Sequence, residues 1–492
     1  MAEIKKTPTS YWIKVAVFLF LVFGFGFVVP PFGGITPLGM KMMGVFLGMI
    51  YAFIALETTV YAAFICMFAM VLFGYMKNAA IQQGWLGTGT AVNMISFLTL
   101  TAGVKESGAA EVVAKYLITR KWAQHRPMVF SFVFLFAFYI AGAFLPPTAN
   151  LIFSIEIFQA CADVIGYDRK APYRKWMLIG LTLSASFGTY GLPFKSMDVA
   201  ILSSFRGALG DYAQYVNEGN FVIYTYLIGL VFTILFVLLM KLNKVDMAPL
   251  KDFDIEQVDG LKRDEIKMNS RQVILLVAFL IAVLYSFVPI LIKKPSAFMT
   301  AFKSWGLGLW VLLVCAVLNI IHIDGEPVLN IEKSMKSGII WRLVAVVGVL
   351  TMVGNALSDE ALGIRQVMMV GLNAVFGGMS WPVFCFVLVA AAVILTNFMA
   401  NQALGIVLAS VVAPFAVTYC EQGVDITAVA VILCFAVQCA FLTYAAYATA
   451  PIYMATDTMQ NESKFIWGKG WQVIVLFIIV CWAGCTFLGY IF

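Results

Sequence analysis

Polar and apolar positions in this chain separate at the scale of whole helices. Long apolar runs joined by short polar connections predict spanning helices at about 11–29, 36–55, 58–76, 89–107, 221–240, 272–292, 304–321, 339–357 and 470–491. Two more runs are interrupted, at Leu192-Pro193 and near Ala448-Thr449-Ala450-Pro451, and read as broken helices over 176–205 and 426–458. That makes about eleven transmembrane helices on a ~30 Å hydrocarbon core.

Two stretches depart from this rhythm. Phe130 to Tyr167 is apolar on both sides of Pro146, Pro147, Thr148, Ala149 and Asn150. Its arms, roughly 16 to 18 residues, are marginal for a full crossing. They predict a re-entrant hairpin over 130–167, whose tip survives in the bilayer only where protein or a water-filled cavity satisfies its backbone. Trp381 to Val417 has the same form, broken by Asn397, Asn401 and Gln402, and predicts a second hairpin over 381–417. The lead-ins match too: Leu98-Thr-Leu-Thr-Ala-Gly103 begins 50 residues before Thr148, and Leu350-Thr-Met-Val-Gly354 begins 51 before Asn401. Segments at Ala109–Thr119 and Ala361–Met379 read as helices lying at the interface. Paired interrupted segments in two halves point to a transporter's central site. The expected division is scaffold helices over 1–88, a first repeat core over 89–220, scaffold helices with a polar loop at 241–271 over 221–338, and a second repeat core over 339–492.

Composition agrees. The 492 residues are 62% hydrophobic and 12% charged, which describes an all-α polytopic membrane protein with no large soluble domain. The nine cysteines fall mostly in apolar runs without a Cys-x-x-Cys pair, as small buried hydrophobes. His125 and His322 sit in separate polar connections, so no metal site is expected. The first apolar run lacks a small-residue cleavage site and reads as a spanning helix. With a cytoplasmic N-terminus, all but eight of the 32 Lys and Arg fall on or near the cytoplasmic face. The eight are Lys41, Lys77, Lys195, Arg206, Lys293, Lys294, Lys303 and Arg365. This arrangement sends the first hairpin in from inside and the second from outside, so the halves form an inverted repeat. It also explains the net charge of +6 without a nucleic-acid partner.

Half-helices at the tips and breaks expose free backbone N–H groups and positive dipole ends, which bind anions. Thr148, Asn150, Asn401, Gln402 and Thr449 supply side-chain donors and acceptors there, and Asn397 is a candidate for ion coupling. Their other reading is that they cap broken helices. Three charges interrupt apolar runs: Glu156, Lys195 and Asp198. Such charges need a partner or a cavity. Lys195 and Asp198, three apart, either pair with each other or leave Lys195 as a fixed positive charge beside an anionic substrate, with Asp198 as an ion-coupling candidate. Glu156 is either a proton-coupling acid, if burial raises its pKa, or a hydrogen-bonded structural acid.

The order Gly103-Val-Lys-Glu-Ser-Gly108, interfacial helix, hairpin and broken helix, then repeated, resembles the divalent anion:sodium symporter family of the ion transporter superfamily. Members carry Ser-Asn-Thr at both hairpin tips; here Pro146-Pro147-Thr148 keeps the Thr and Ala400-Asn401-Gln402 keeps the Asn. The family's Thr-Pro-Pro type turn is partly matched by Thr449-Ala450-Pro451 and more loosely by Gly191-Leu192-Pro193-Phe194-Lys195-Ser196. The resemblance implies an elevator-type homodimer carrying di- or tricarboxylates, or sulfate, across the cytoplasmic membrane. It implies sodium ions between each tip and the neighbouring broken-helix loop. Two prolines and Lys195 near the first such position point instead to sodium-independent exchange or proton-coupled uptake, the lysine ammonium standing in for sodium. No other cofactor is expected. The competing readings are a sodium-coupled symporter, a channel, and the membrane subunit of a binding-protein-dependent carrier. An enzyme is not expected: no catalytic spacing and no nucleotide loop is present.

Overall fold

The computed structural model describes residues 8–56, 60–195, 197–287, 301, 304–444 and 446–491. The basic N-terminal start, the far end of the predicted 272–292 span, Lys293, Lys294, Lys303 and Ser196 lie outside the described residues or largely so. The chain opens with α1 (Thr9–Val28), α2 (Pro37–Ala55), α3 (Val60–Leu72) and a short α4 (Asn78–Leu86) that the sequence reading passed over. The first repeat follows: α5 (Gly89–Glu106), the interfacial α6 (Ala109–Ile118), the hairpin α7 (Pro127–Gly142) and α8 (Pro147–Ile165), and the broken helix α9 (Pro172–Tyr190) and α10 (Asp198–Leu209). Then come α11 (Glu218–Leu242), α12 (Ser270–Leu284), α13 (Leu307–Ile320), a small hairpin of β1 (His322–Ile323) and β2 (Glu326–Pro327), and α14 (Ile331–Gly338). The second repeat restates the order as α15 (Trp341–Ser358), α16 (Ile364–Phe376), the hairpin α17 (Trp381–Leu395) and α18 (Asn401–Glu421), and the broken helix α19 (Thr427–Cys434) and α20 (Thr449–Met454), closed by α21 (Ser463–Ile491). Seven helices of the described residues are long and apolar enough to cross a membrane by length and composition.

Both hairpins turn back to the side they came from. Tyr173 at the start of α9 joins the two ends of the first: its hydroxyl pairs with Ser131 at 3.0 Å and its ring lies 6.0 Å from Phe158. Tyr419 does the same for the second, stacking on Trp381 and Phe384 and donating to the Met379 carbonyl at 2.9 Å. The 29-residue α21 shows that these sides are opposite. At its start, Glu462 meets Lys175 beside the first hairpin at 2.8 Å. At its end, the Thr486 carbonyl accepts from Trp381 of the second at 3.2 Å. At ~1.5 Å per residue α21 is longer than the hydrocarbon core is thick, so it links the two faces. The halves are therefore inverted.

Close helix crossings fix the breaks. A Cβ on Gly188 of α9 would stand 1.9 Å from the Tyr139 carbonyl oxygen and 3.1 Å from the Cα of Gly142, so the two backbones touch where the hairpin turns. Gly207 of α10 and Gly354 of α15 meet similarly, a Cβ on Gly207 falling 2.5 Å from the Thr351 oxygen. Gly188→Ala is expected to destabilise the protein by about 3 kcal/mol or more, because backbone rather than a flexible side chain must move. Thermal unfolding in detergent against Gly468→Ala, where no heavy atom lies within 4 Å of the new Cβ and φ is not positive, isolates the clash.

The second break differs from the sequence reading. The helix predicted to continue to 447 ends at Cys434, and the chain runs irregularly until Thr449 opens α20. The reason is Asn397. Its carboxamide oxygen accepts from the N–H groups of Phe441 and Leu442, both at 2.9 Å, and its nitrogen donates to the Cys439 carbonyl at 2.8 Å. Backbone groups held by a side chain no longer need helical partners.

Candidate functional site

The two tips and two breaks converge on a pair of cavities. The first, about 420 Å³, is lined at the tip of the first hairpin by Pro146, Pro147 and Thr148, and also by Tyr190 and Lys195. The second, about 650 Å³, is lined by Asn401, Gln402 and Ala403 at the tip of the second, with Phe53, Phe398 and Tyr444. Met197, Arg342 and Tyr447 line both. The partition between the cavities therefore carries a guanidinium. The Tyr190 and Tyr447 hydroxyls, one from each broken helix, hydrogen-bond across it.

The cavity charges are lopsided. Among the described residues Arg342 is the only charged one lining the second cavity. It is exposed at the start of α15 and has no ion pair among the described residues. The first cavity adds Lys105, Lys195 and Glu106. Glu106 is engaged, meeting Lys333 at 3.3 Å and accepting from Ser337 at 2.6 Å. Neither α8 nor α18 has a side-chain cap at its N-terminus, and Thr148, Asn401, Gln402 and Ala403, in their first turns, line the cavities. Unfilled first-turn N–H groups and a positive dipole end favour an anion.

Three of the sequence candidates, Asn150, Asn397 and Lys195, serve as latches. Asn150 is fully buried and donates to the Phe138 carbonyl at 2.8 Å, tying the hairpin arms together. Asn397 ties the second hairpin to the second break, as described above, and Thr396 adds a 2.5 Å bond to the Val437 carbonyl. The first half reverses the roles. There the latch comes from the break: the Lys195 ammonium donates to the carbonyls of Gly142 and Ala143 at 2.9 and 2.6 Å, and Thr189 donates to the Leu145 carbonyl at 3.0 Å. Each broken helix is thus fastened to its own hairpin, by a cation in one half and by a neutral amide in the other.

Of the two readings open for Lys195 and Asp198, a direct ion pair is not formed among the described residues, although the two charges act on each other electrostatically. Asp198 is fully buried, and among the described residues neither carboxylate oxygen has a hydrogen-bond partner. Among the described residues the Thr449 hydroxyl is likewise buried without a partner, as is the Gln402 amide nitrogen. Asn401 donates to the Gln438 side-chain oxygen at 3.0 Å, and its own oxygen lies 2.9 Å from the Thr396 hydroxyl. Glu156 does not meet the condition set for a coupling acid. It is exposed on the face of α8 that also carries exposed Ile152, and it lines neither cavity. Arg342 escaped the sequence reading because charge counting placed it among the cytoplasmic residues. The available signal was a lone charge just inside the apolar run 339–357.

No family model and no curated protein matches the sequence. The fold has counterparts among solved structures. MtrF of Neisseria gonorrhoeae, described as illuminating a class of antimetabolite efflux pumps, aligns over 99% of this chain and 96% of its own at 12% identity with a TM-score of 0.54. The YdaH transporter of Alcanivorax borkumensis, described as having an unusual topology, aligns over 98% of both chains at 14% identity with a TM-score of 0.48. At such identity the MtrF likeness is one of fold. With its apolar helices it describes a multi-pass membrane protein built as this chain is.

Proposed function

We propose that this protein is a secondary active transporter that binds a small organic anion between its two hairpin tips. The observation that carries the proposal is Arg342, a guanidinium without an ion partner among the described residues, on the wall shared by the two tip cavities. A planar fork of N–H donors matches a carboxylate bidentately, and the uncapped N-termini of α8 and α18 face the same space. The substrate class is the carboxylate class implied by the resemblance to divalent anion:sodium symporters. The fold shared with an efflux pump fits a carrier better than an enzyme.

Transport would follow an elevator mechanism in a homodimer of the cytoplasmic membrane, N-terminus inside. The latches support this reading. Hairpins bound to broken helices by Lys195 and Asn397 form one body able to move as a unit against the other helices.

Coupling is proposed to be sodium-independent, by exchange or with protons. In the first half the residues do not suit a sodium ion. The carbonyl oxygens of Gly142 and Ala143 that would ligate it accept from the Lys195 ammonium, and Pro147 offers no N–H. Asp198 is the acid available for a proton, since its buried oxygens lack partners among the described residues. A sodium-coupled reading draws on the same unpartnered Asp198 and Thr449 oxygens. The test is uptake of labelled dicarboxylates and monocarboxylates into proteoliposomes with a sodium gradient, a proton gradient or internal anion imposed singly. Uptake driven by internal anion or protons alone is expected. A strict sodium requirement would overturn the coupling, and no anion uptake under any gradient would overturn the function.

A further inference from the structure

A separate cavity shares no lining residue with either tip cavity. It measures about 400 Å³ and is bounded by Tyr116, Arg120, Lys121, Trp122, Arg263 and Ile266. We propose that it holds the phosphate headgroup of an anionic phospholipid from the adjacent leaflet. No acidic residue lines it among the described residues. The Arg120 guanidinium lies over the Tyr116 ring at 3.2 Å, and its Nε donates to the Tyr116 carbonyl at 3.1 Å, which holds the fork in place. Arg263 reaches in from the polar loop. It is anchored by its Nε on the Thr119 carbonyl at 2.6 Å and by one terminal nitrogen on Glu256 at 3.2 Å, which leaves its other terminal nitrogen unused by either anchor. Lys121 is exposed and has no ion pair among the described residues.

The place is where a headgroup would be. Helix α6 follows α5 directly and precedes the hairpin arm α7. It buries Ala109, Ala110, Ala114 and Ile118 and leaves Tyr116 exposed. Trp122, 56% exposed, continues that surface. Aromatic rings flanking Lys and Arg at the end of spanning helices mark the level of the headgroups, and such basic clusters bind anionic lipid. Three cations around one hollow suit a phosphodiester, while Ile266 and the rings offer contact to the first carbons of its chains. The site abuts the start of the first hairpin, so the lipid would brace the face against which the hairpin is set.

The experiment uses the full chain in nanodiscs of phosphatidylcholine with or without phosphatidylglycerol, read by native mass spectrometry and thermal unfolding. The chain is expected to retain phosphatidylglycerol in preference to phosphatidylcholine and to melt higher with it. Arg120→Gln and Lys121→Gln should each lower retention roughly fivefold. Lys464→Gln, at an exposed lysine outside the cavity, should leave retention unchanged. Equal retention of both lipids, or retention indifferent to Arg120→Gln and Lys121→Gln together, overturns the proposal. A matching rise in melting temperature from inorganic phosphate in pure phosphatidylcholine would assign the cavity to a soluble phosphate instead and overturn the lipid.

Discussion

Replacing Arg342 with Gln is expected to reduce anion uptake by about two orders of magnitude while leaving the fold intact. A charge-assisted hydrogen bond contributes about 1.5–3 kcal/mol. Because each ~1.4 kcal/mol is a factor of ten, the guanidinium is worth roughly 10- to 150-fold in affinity. Arg342→Lys keeps the charge but not the fork, and should retain an intermediate activity. Stability should barely change, because Arg342 has no ion pair to lose among the described residues. Uptake measured beside thermal unfolding checks both halves. An Arg342→Gln protein that transports normally would remove the guanidinium from the site.

The second large effect concerns Lys195. Lys195→Ala is expected to abolish transport and also to destabilise the protein by about 3–5 kcal/mol, the usual result of removing one charge from a buried set. Two carbonyls at the end of α7 lose their donor, and Asp198 is left buried beside no cation. The double variant Lys195→Ala with Asp198→Asn should recover much of the stability, since the uncompensated carboxylate is gone, but not the transport. A thermal melt of the three variants reads the first point and proteoliposome uptake the second. Full activity of Lys195→Ala would show that the first hairpin does not depend on this latch.

The architecture was legible because membranes restrict the choices. Apolar runs of helical length have few folds open to them, and the polar breaks at Thr148 and Asn401 stood at matching distances from their lead-ins. The breaks themselves were harder to place. A tertiary bond from Asn397, more than forty residues away, releases the backbone at Phe441 and Leu442, and no local pattern reports such a partner. Polar residues at a tip were legible as important but not as to role. Asn150 and Asn397 satisfy backbone, whereas Thr148 and Gln402 line the cavities, and the same amide chemistry serves either purpose. Glu156 looked buried because its neighbours are apolar; it projects from the outer face of its arm. Arg342 was hidden by its position at a helix start, where a charge ordinarily meets water. Here α15 begins beside both tips, so the same position opens on the cavities.

The central claim is that one anion binds between the tips and is held by Arg342. A density map of the protein in lipid nanodiscs, saturated with a transported carboxylate, tests it most directly. The account predicts the carboxylate within hydrogen-bond distance of the Arg342 guanidinium, against the first turns of α8 and α18. Ligand density seated away from both tips, with Arg342 free of it, would contradict the account.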